Sequence, residues 1–456
     1  MAAPAIKTSE DAIAYVRERD LKYVRVGVFD VDGIMRGKYM ARDKFISAMQ
    51  KGFGFCDVVL GWDSNDQLYD NVSFTGWHTA YPDAWVKLVP DSMRLVPFED
   101  DIPLFLGEFS GPAEAICPRG LLRKVLARAD TMGFAVNAAA EFEFFVFDET
   151  PDSIREKNYK GLKPITPGNF GYSALRSSVH ADFYRDLLDM CLAMNMEIEG
   201  LHTETGPGVL EAAIKVGDAL GAADKAALFK TYAKVLCQKR GWMATFMAKW
   251  SPDYPGQSGH LHVSLTDKKM GKGAFYDSGK PMHMTDTMRW FVGGQQRLLP
   301  DILSMIACTV NSYTRLIPGF WAPTAATWGY ENRTCALRVI GGSENSQRVE
   351  VRIAAADINP YIAFAASIGA GLSGIENRVE PDEAIAGNAY EVKTAPERSL
   401  PTTLTEASNR LLACAPARDL FGDAFVEHYA ASRIWEEREA RRAITDWQLA
   451  RYFEII

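Results

Sequence analysis

Residues 137–147 read NAAAEFEFFVF, two glutamates set in a run of alanine, phenylalanine and valine. Apolar residues at that density read as a buried strand, where a carboxylate is costly unless it is paired or holds a metal. Side chains two apart in a strand share a face. Glu141 and Glu143 therefore set like charges side by side, and something positive is needed between them.

Similar chemistry recurs downstream. LHTETGPGVLEAAI (201–214) offers Glu204 and Glu211 across a Gly-Pro-Gly turn. SGHLHVSL (258–265) puts His260 and His262 on one face of a strand, and QRVEVRIA (347–354) alternates Glu350 with Arg352. Five carboxylates with the His260 imidazole make an oxygen-rich set, which favours Mg²⁺ or Mn²⁺ over zinc. Each residue alone has a plainer reading. A glutamate on a strand is often a solvated edge residue, and His260 reads as a satisfied core histidine. Spacing leaves these alternatives open.

The chain has 456 residues, a net charge of −8 and 47% hydrophobic residues. That length exceeds one ordinary core and suggests two domains. The mild acidity and the lack of a dense Lys/Arg block argue against a nucleic-acid surface. MAAPAIKTSE at the start lacks the apolar core of a signal peptide. The run YIAFAASIGAGLSGI (361–375) is glycine-broken and too short to span a membrane. Seven cysteines show no CxxC and no metal-ligand spacing. A soluble, reduced, cytoplasmic protein is the expectation.

LKYVRVGVFDVDGIMRGKYM (21–40) alternates Val24, Val26 and Val28 and turns at Asp32-Gly33, a hairpin signature. AWVKLVP and PLFLGEF add strands, so residues up to about 110 read as a small sheet with one or two helices. CPRGLLRKVLARADTMGF then reads as a helix with a proline start. Beyond it, strands bearing carboxylates alternate with long helices such as ADKAALFKTYAKVLCQKRG. The fold class expected is α+β, with a small N-terminal domain and a large C-terminal one.

Seven segments taken in order, EFEFFVF, TETGPGVLE, ATFMAKW, GQSGHLHVSL, NSYTRLIPG, ENRTCALRV and RVEVRIAAADINPY, resemble the motifs of the glutamine synthetase superfamily over nearly the whole chain. The resemblance implies a β-grasp-like domain over residues 1–112. A catalytic domain with a curved antiparallel sheet would occupy 113–456. It implies two divalent cations at the neck of a funnel, which would answer the charge problem of the opening strand. Glu143, Glu204 and Glu211 match the ligands of the first cation, and Glu141, His260 and Glu350 those of the second.

The implied chemistry is a two-step ligation. The γ-carboxylate of glutamate attacks the γ-phosphate of ATP, and an amine then displaces phosphate from γ-glutamyl phosphate. Such chemistry rests on positioning and charge neutralisation. Arg333 and Arg338 match arginines beside the phosphates, and Arg348 one near the nucleotide. Arg315 and Arg352 match the pair that clamps glutamate, a task suited to a planar fork. Gly256 and Glu143 match further glutamate contacts, and His262 and Ser264 positions on the nucleotide side. Tyr390 falls where some bacterial members are adenylylated, in altered surroundings.

One position departs from the family pattern. Glutamine synthetases proper carry a glutamate in the flap after RLVPG, whereas RLIPGFWAP here places Trp321 there. The chain is thereby more similar to the γ-glutamylamide ligases of the superfamily, especially those for small alkylamines such as isopropylamine. Asp63, in GWDSNDQ, is the candidate carboxylate on the amine side. The alternatives are ammonia-using glutamine synthesis through a merely repacked flap, and a non-catalytic structural member. The family also implies a homo-oligomer, a dodecamer of two stacked hexameric rings, with active sites between subunits. The apolar tail DWQLARYFEII (446–456) would dock on a neighbour.

Overall fold

In a computed structural model, the chain is described over residues 6–319 and 321–456. The first five residues of the N-terminal stretch lie outside it. The expected hairpin is present: β1 (Tyr23–Phe29) pairs antiparallel with β2 (Met35–Ala41) in full register. Gly33 sits in the turn with φ of 78°, where a side chain would be strained. With β3 (Phe53–Cys56), β4 (Asp83–Val96) and β5 (Ile102–Ser110), the strands form one sheet of order β2-β1-β5-β4-β3. β1 and β5 run parallel, and β4 carries an irregularity between Val89 and Arg94. Helices Ser9–Glu18 and Arg42–Lys51 accompany it. The turn Gly111–Ile116 leads onward, and a domain division at about residue 112 is proposed there.

The helix Pro118–Thr131 starts on its proline as expected. A ten-stranded sheet follows. Its strands are β6 (Phe134–Phe147), β7 (Ile198–Thr203), β8 (Val209–Ile214), β9 (Gly217–Asp218), β10 (Met243–Thr245), β11 (Gly259–Asp267), β12 (Lys272–Gly273), β13 (Trp328–Tyr330), β14 (Leu337–Ile340) and β15 (Arg348–Val351). The main path runs β13-β14-β15-β11-β6-β8-β7. Among the described residues its pairings are antiparallel, as expected of a curved antiparallel sheet, apart from β13 with β14, which is parallel.

The run 361–375 belongs to the buried helix Pro360–Asn377. It crosses the helix Asp286–Ile302 where two glycines meet. A Cβ on Gly294 would lie 2.5 Å from the Gly374 Cα, so only glycines permit this approach. Among the described residues, no helix is long and apolar enough to cross a membrane. All seven cysteines are free thiols, and six of them are buried.

His428, on the helix Asp423–Ala440, ties that helix to the turn Asp57–Leu60 after β3 through Nε2, which lies 2.8 Å from the Leu60 carbonyl. Burial pushes its pKa down to about 4, against a small opposing pull from that hydrogen bond. An unfolded imidazole titrates near 6.5. The folded chain therefore holds this stabilisation in full above about pH 6.5 and loses it as pH falls towards about 4. The loss is on the order of 3 kcal/mol. Urea midpoints measured from pH 7 down to 4.5 should fall in wild type, and less steeply in His428→Gln.

Candidate active site

Pairing register assembles the site from separate strands. Glu143 on β6 lies opposite Glu211 on β8, which lies opposite His202 on β7. Glu141 lies opposite His260 on β11. His262 lies opposite Glu350 on β15, and Glu350 opposite Arg338 on β14. Residues directly opposite in a ladder share a face, so three cross-strand rows of charged and imidazole groups line one side of the sheet. The intervening Phe142 and Phe144 are fully buried on the other side, stacked on Phe229 and Phe246. The alternation in the opening strand thus separates a dry core from a wet, charged face.

That face forms the floor of a cavity of about 700 Å³. Donor atoms converge there in three groups, each within 4.8 Å: Glu141, His262 and Glu350; Glu141, Glu211 and His260; and His202, Glu204 and Glu211. Glu143 stands in none of them, and its Oε2 accepts the Ser258 backbone N–H at 2.7 Å. His202 and His262 take part, in addition to the residues expected as ligands.

The electrostatics fit a divalent cation. Burial, then the fields of Glu143, Glu141, Glu204 and Glu350, pushes the Glu211 carboxyl up to about 9. A cation among these oxygens removes that cost. Burial also acts to raise Glu141, but its contacts with His260 and His262 outweigh it and hold the carboxyl low. The same opposition keeps Glu350 ionised, with His260, Arg352 and His262 overcoming burial. Carboxylate-rich groups with one imidazole each suit Mg²⁺ or Mn²⁺.

The arginines surround this floor. Glu350 accepts from Arg352 through Oε1 and from Arg338 at 3.1 Å through Oε2, and Arg338 also reaches Glu331. Arg333 is exposed and lines the cavity. Arg315 ends the helix Val310–Arg315, whose first turn is closed by a capping box at Thr309. Its guanidinium donates to the carbonyls of Ile353 and Arg352 at 2.9 and 3.2 Å. Burial brings its pKa down to about 10, opposed by Glu143. Gly256 passes so close that a Cβ would lie 2.6 Å from both Ala248 O and Arg315 Cγ.

Arg348 donates from Nε to His262 Nδ1 at 3.1 Å. With Glu141, both also border a smaller cavity of about 230 Å³, together with Ser264, Ile214 and Val216. The three positions expected on the nucleotide side thus share one compartment, with aliphatic walls beside it.

Trp321 stands at the rim of the main cavity, 59% exposed and with φ of 58°. Asp63 is not among the residues lining the cavity. Its Oδ1 accepts the backbone N–H groups of Asn65 and Gln67 at 2.8 and 2.9 Å, and Trp435 Nε1 lies 3.3 Å from Oδ2. Within one chain Asp63 closes a turn, and an amine-side role would need a second copy. The Tyr390 hydroxyl is buried with no hydrogen-bond partner.

Two residues escaped the sequence reading. His202 Nε2 lies 3.0 Å from Glu204, and its ring stacks on Tyr172 at 4.2 Å with planes 12° apart. His202 precedes Glu204 by two on the same approach, a spacing that could have revealed it. Tyr172 sits in a loop with φ of 53°, without any periodic signal.

Residues 115–452 match the glutamine synthetase catalytic domain family. The chain is 44% identical to the type-1 glutamine synthetase 2 of Dictyostelium discoideum, over 95% of this chain and 84% of that protein. It is 35% identical to a glutamate–isopropylamine ligase of a Pseudomonas species, over 97% of each. A γ-glutamylethanolamide synthetase of Streptomyces coelicolor is 34% identical over 98% of this chain and 95% of its own length. In fold, the chain is similar to a structure of GmaS with ADP, with a TM-score of 0.84 at 23% identity, covering 97% of this chain and 99% of that one. The family match and these near full-length relatives establish that the chain belongs to the glutamine synthetase family, whose members are ATP-dependent ligases forming carbon–nitrogen bonds.

Proposed function

We propose that the chain joins L-glutamate to a small primary alkylamine of the isopropylamine kind, consuming ATP and giving a γ-glutamylamide, ADP and phosphate. The observation that carries this reading is Trp321. It presents an indole to the cavity at the flap position where ammonia-using members of the family carry a glutamate. The names of the Pseudomonas and Streptomyces relatives support it. The 44% identity to the Dictyostelium glutamine synthetase favours ammonia as the second reading.

Glu141, Glu143, Glu204, Glu211, His260 and Glu350 would hold the divalent cations, which when bound supply charge neutralisation at the nucleotide phosphates. Arg315 and Arg352 orient glutamate so that its γ-carboxylate attacks the γ-phosphate in line. Arg333 and Arg338 take up the charge of the transferring phosphoryl group. The amine, once deprotonated, attacks the acyl carbon, and phosphate leaves. His262, Ser264 and Arg348 border the nucleotide. Phosphate release measured with ATP, Mg²⁺ or Mn²⁺, glutamate and a panel of amines tests this. A kcat/KM for a small alkylamine at least about tenfold above that for ammonia is expected; a preference for ammonia would favour the second reading.

The tail supports the proposed assembly. The helix Asp446–Tyr452 buries none of its residues, and Phe453, Ile455 and Ile456 are 85%, 84% and 92% exposed. So much apolar surface in sequence suits a docking segment, and a double hexameric ring is the proposed state. Light scattering should report that assembly for the full chain and smaller species after truncation at residue 445. A fully active monomer would contradict it.

A further inference from the structure

Behind the metal-facing sheet lies a second cavity, of about 460 Å³, that no step above uses. It is walled by the β1–β2 turn, the helices Ala219–Lys239 and Asp423–Ala440, and the segments around Met243–Thr245, Thr309 and Asp357. Two of its charges are satisfied. Arg433 donates to Asp32 at 2.6 Å, and Lys230 to the Ile358 carbonyl at 2.6 Å. Three other polar groups are not. Lys234 and Glu436 make no ion pair among the described residues, and the Lys234 ammonium has only the Phe246 ring, 5.6 Å from its centroid, in place of a counter-charge. Asp357 accepts the hydroxyls of Thr309 and Ser312 through Oδ2, each at 2.7 Å, but its Oδ1 is buried without a partner. A buried carboxylate oxygen left unpaired is costly and calls for an explanation.

We propose that this cavity is a second small-molecule site, for a free α-amino acid with an aliphatic side chain, whose ammonium meets Asp357 Oδ1 and Glu436 and whose carboxylate meets Lys234. A simple anion would leave Asp357 Oδ1 unpaired, and a simple cation would leave Lys234 unpaired. A zwitterion satisfies both ends at once. The volume falls within the range of about 300 to 1,000 Å³ usual for small-molecule sites. Ile34, Met35, Phe246 and Met247 provide apolar wall for the side chain. Burial draws the pKa of Lys234 down and that of Glu436 up, the latter against the pull of Arg433.

The site reaches the catalytic cavity through one carboxylate. Asp357 Oδ2 holds Thr309 and Ser312, the cap and first turn of the helix whose last residue is Arg315. A ligand drawing on Oδ1 acts on that same side chain and so on the placement of the glutamate clamp. Occupancy therefore shifts the KM for glutamate and leaves kcat unchanged.

Titration calorimetry of the full chain with L-leucine tests the proposal. One leucine per chain should bind, and Lys234→Met and Glu436→Gln should each weaken it at least tenfold with unchanged basal turnover. Isovalerate, which lacks the ammonium, should bind at least tenfold more weakly. Arg352→Ala, altered in the catalytic cavity, should bind leucine as wild type does. Absence of millimolar leucine binding, wild-type affinity in either cavity variant, or loss of binding in Arg352→Ala would overturn the site. A glutamate KM unmoved at saturating leucine would overturn the coupling.

Discussion

Glu141→Ala should lower kcat with Mg²⁺ or Mn²⁺ by at least about a hundredfold, the scale of losing one preorganised electrostatic stabiliser, while leaving the fold intact. Its carboxylate faces the cavity and belongs to two of the three donor groups. Its nearest imidazole partners, His260 and His262, lie 3.6 and 3.2 Å from Oε2. Glu350→Ala should abolish turnover as well, but with an added structural cost. Glu350 is 1% exposed and accepts from both Arg338 and Arg352. Removing one partner of a buried ion pair costs about 3 to 5 kcal/mol. Thermal melts and kcat measured on both variants separate the two effects. Retention of activity by Glu141→Ala within about tenfold of wild type would refute the cation assignment, as would full wild-type activity in excess chelator.

Trp321→Glu should narrow or reverse the preference between alkylamine and ammonia. An alkylammonium has a pKa of roughly 10 and arrives charged, as ammonium does. Both must lose a proton before attacking. The alkyl part differs, gaining about 0.8 kcal/mol for each buried CH₂. An indole face adds roughly 0.5 to 2 kcal/mol of attraction for the cation. A tenfold ratio needs only about 1.4 kcal/mol, so two or three buried carbons suffice. The exchange is clean at the backbone. Trp321 lies at φ of 58°, and glutamate carries the same Cβ into that strained region, so the side-chain chemistry is what changes. An unchanged kcat/KM ratio in the variant would mean that the flap is merely repacked.

Strand alternation made much of the site legible. Glu141 and Glu143, His260 and His262, and Glu350 and Arg352 each stand two apart, and the sheet presents them to one face. Their grouping was less legible, because cross-strand register is a tertiary property. It brings Glu211 opposite both Glu143 and His202, and no local spacing encodes that. Glu143 turns to the Ser258 N–H, a backbone donor that side-chain patterns do not display. Tyr172 enters from an irregular loop. The parallel β13–β14 pair defeats the usual inference too. Parallel neighbours ordinarily need a crossover of a dozen or more residues, and the short connection 331–336 reads as a hairpin. Asp63 closes a turn within its own chain, and only a second copy could bring it to the amine side, a placement no local pattern encodes.

The most direct test of the ligase reading is a competition. The full chain is given ATP, Mg²⁺, glutamate and equal concentrations of isopropylamine and ammonia, and the products are identified by mass spectrometry. The account predicts γ-glutamylisopropylamide in at least about tenfold excess over glutamine. Glutamine as the main product would contradict it.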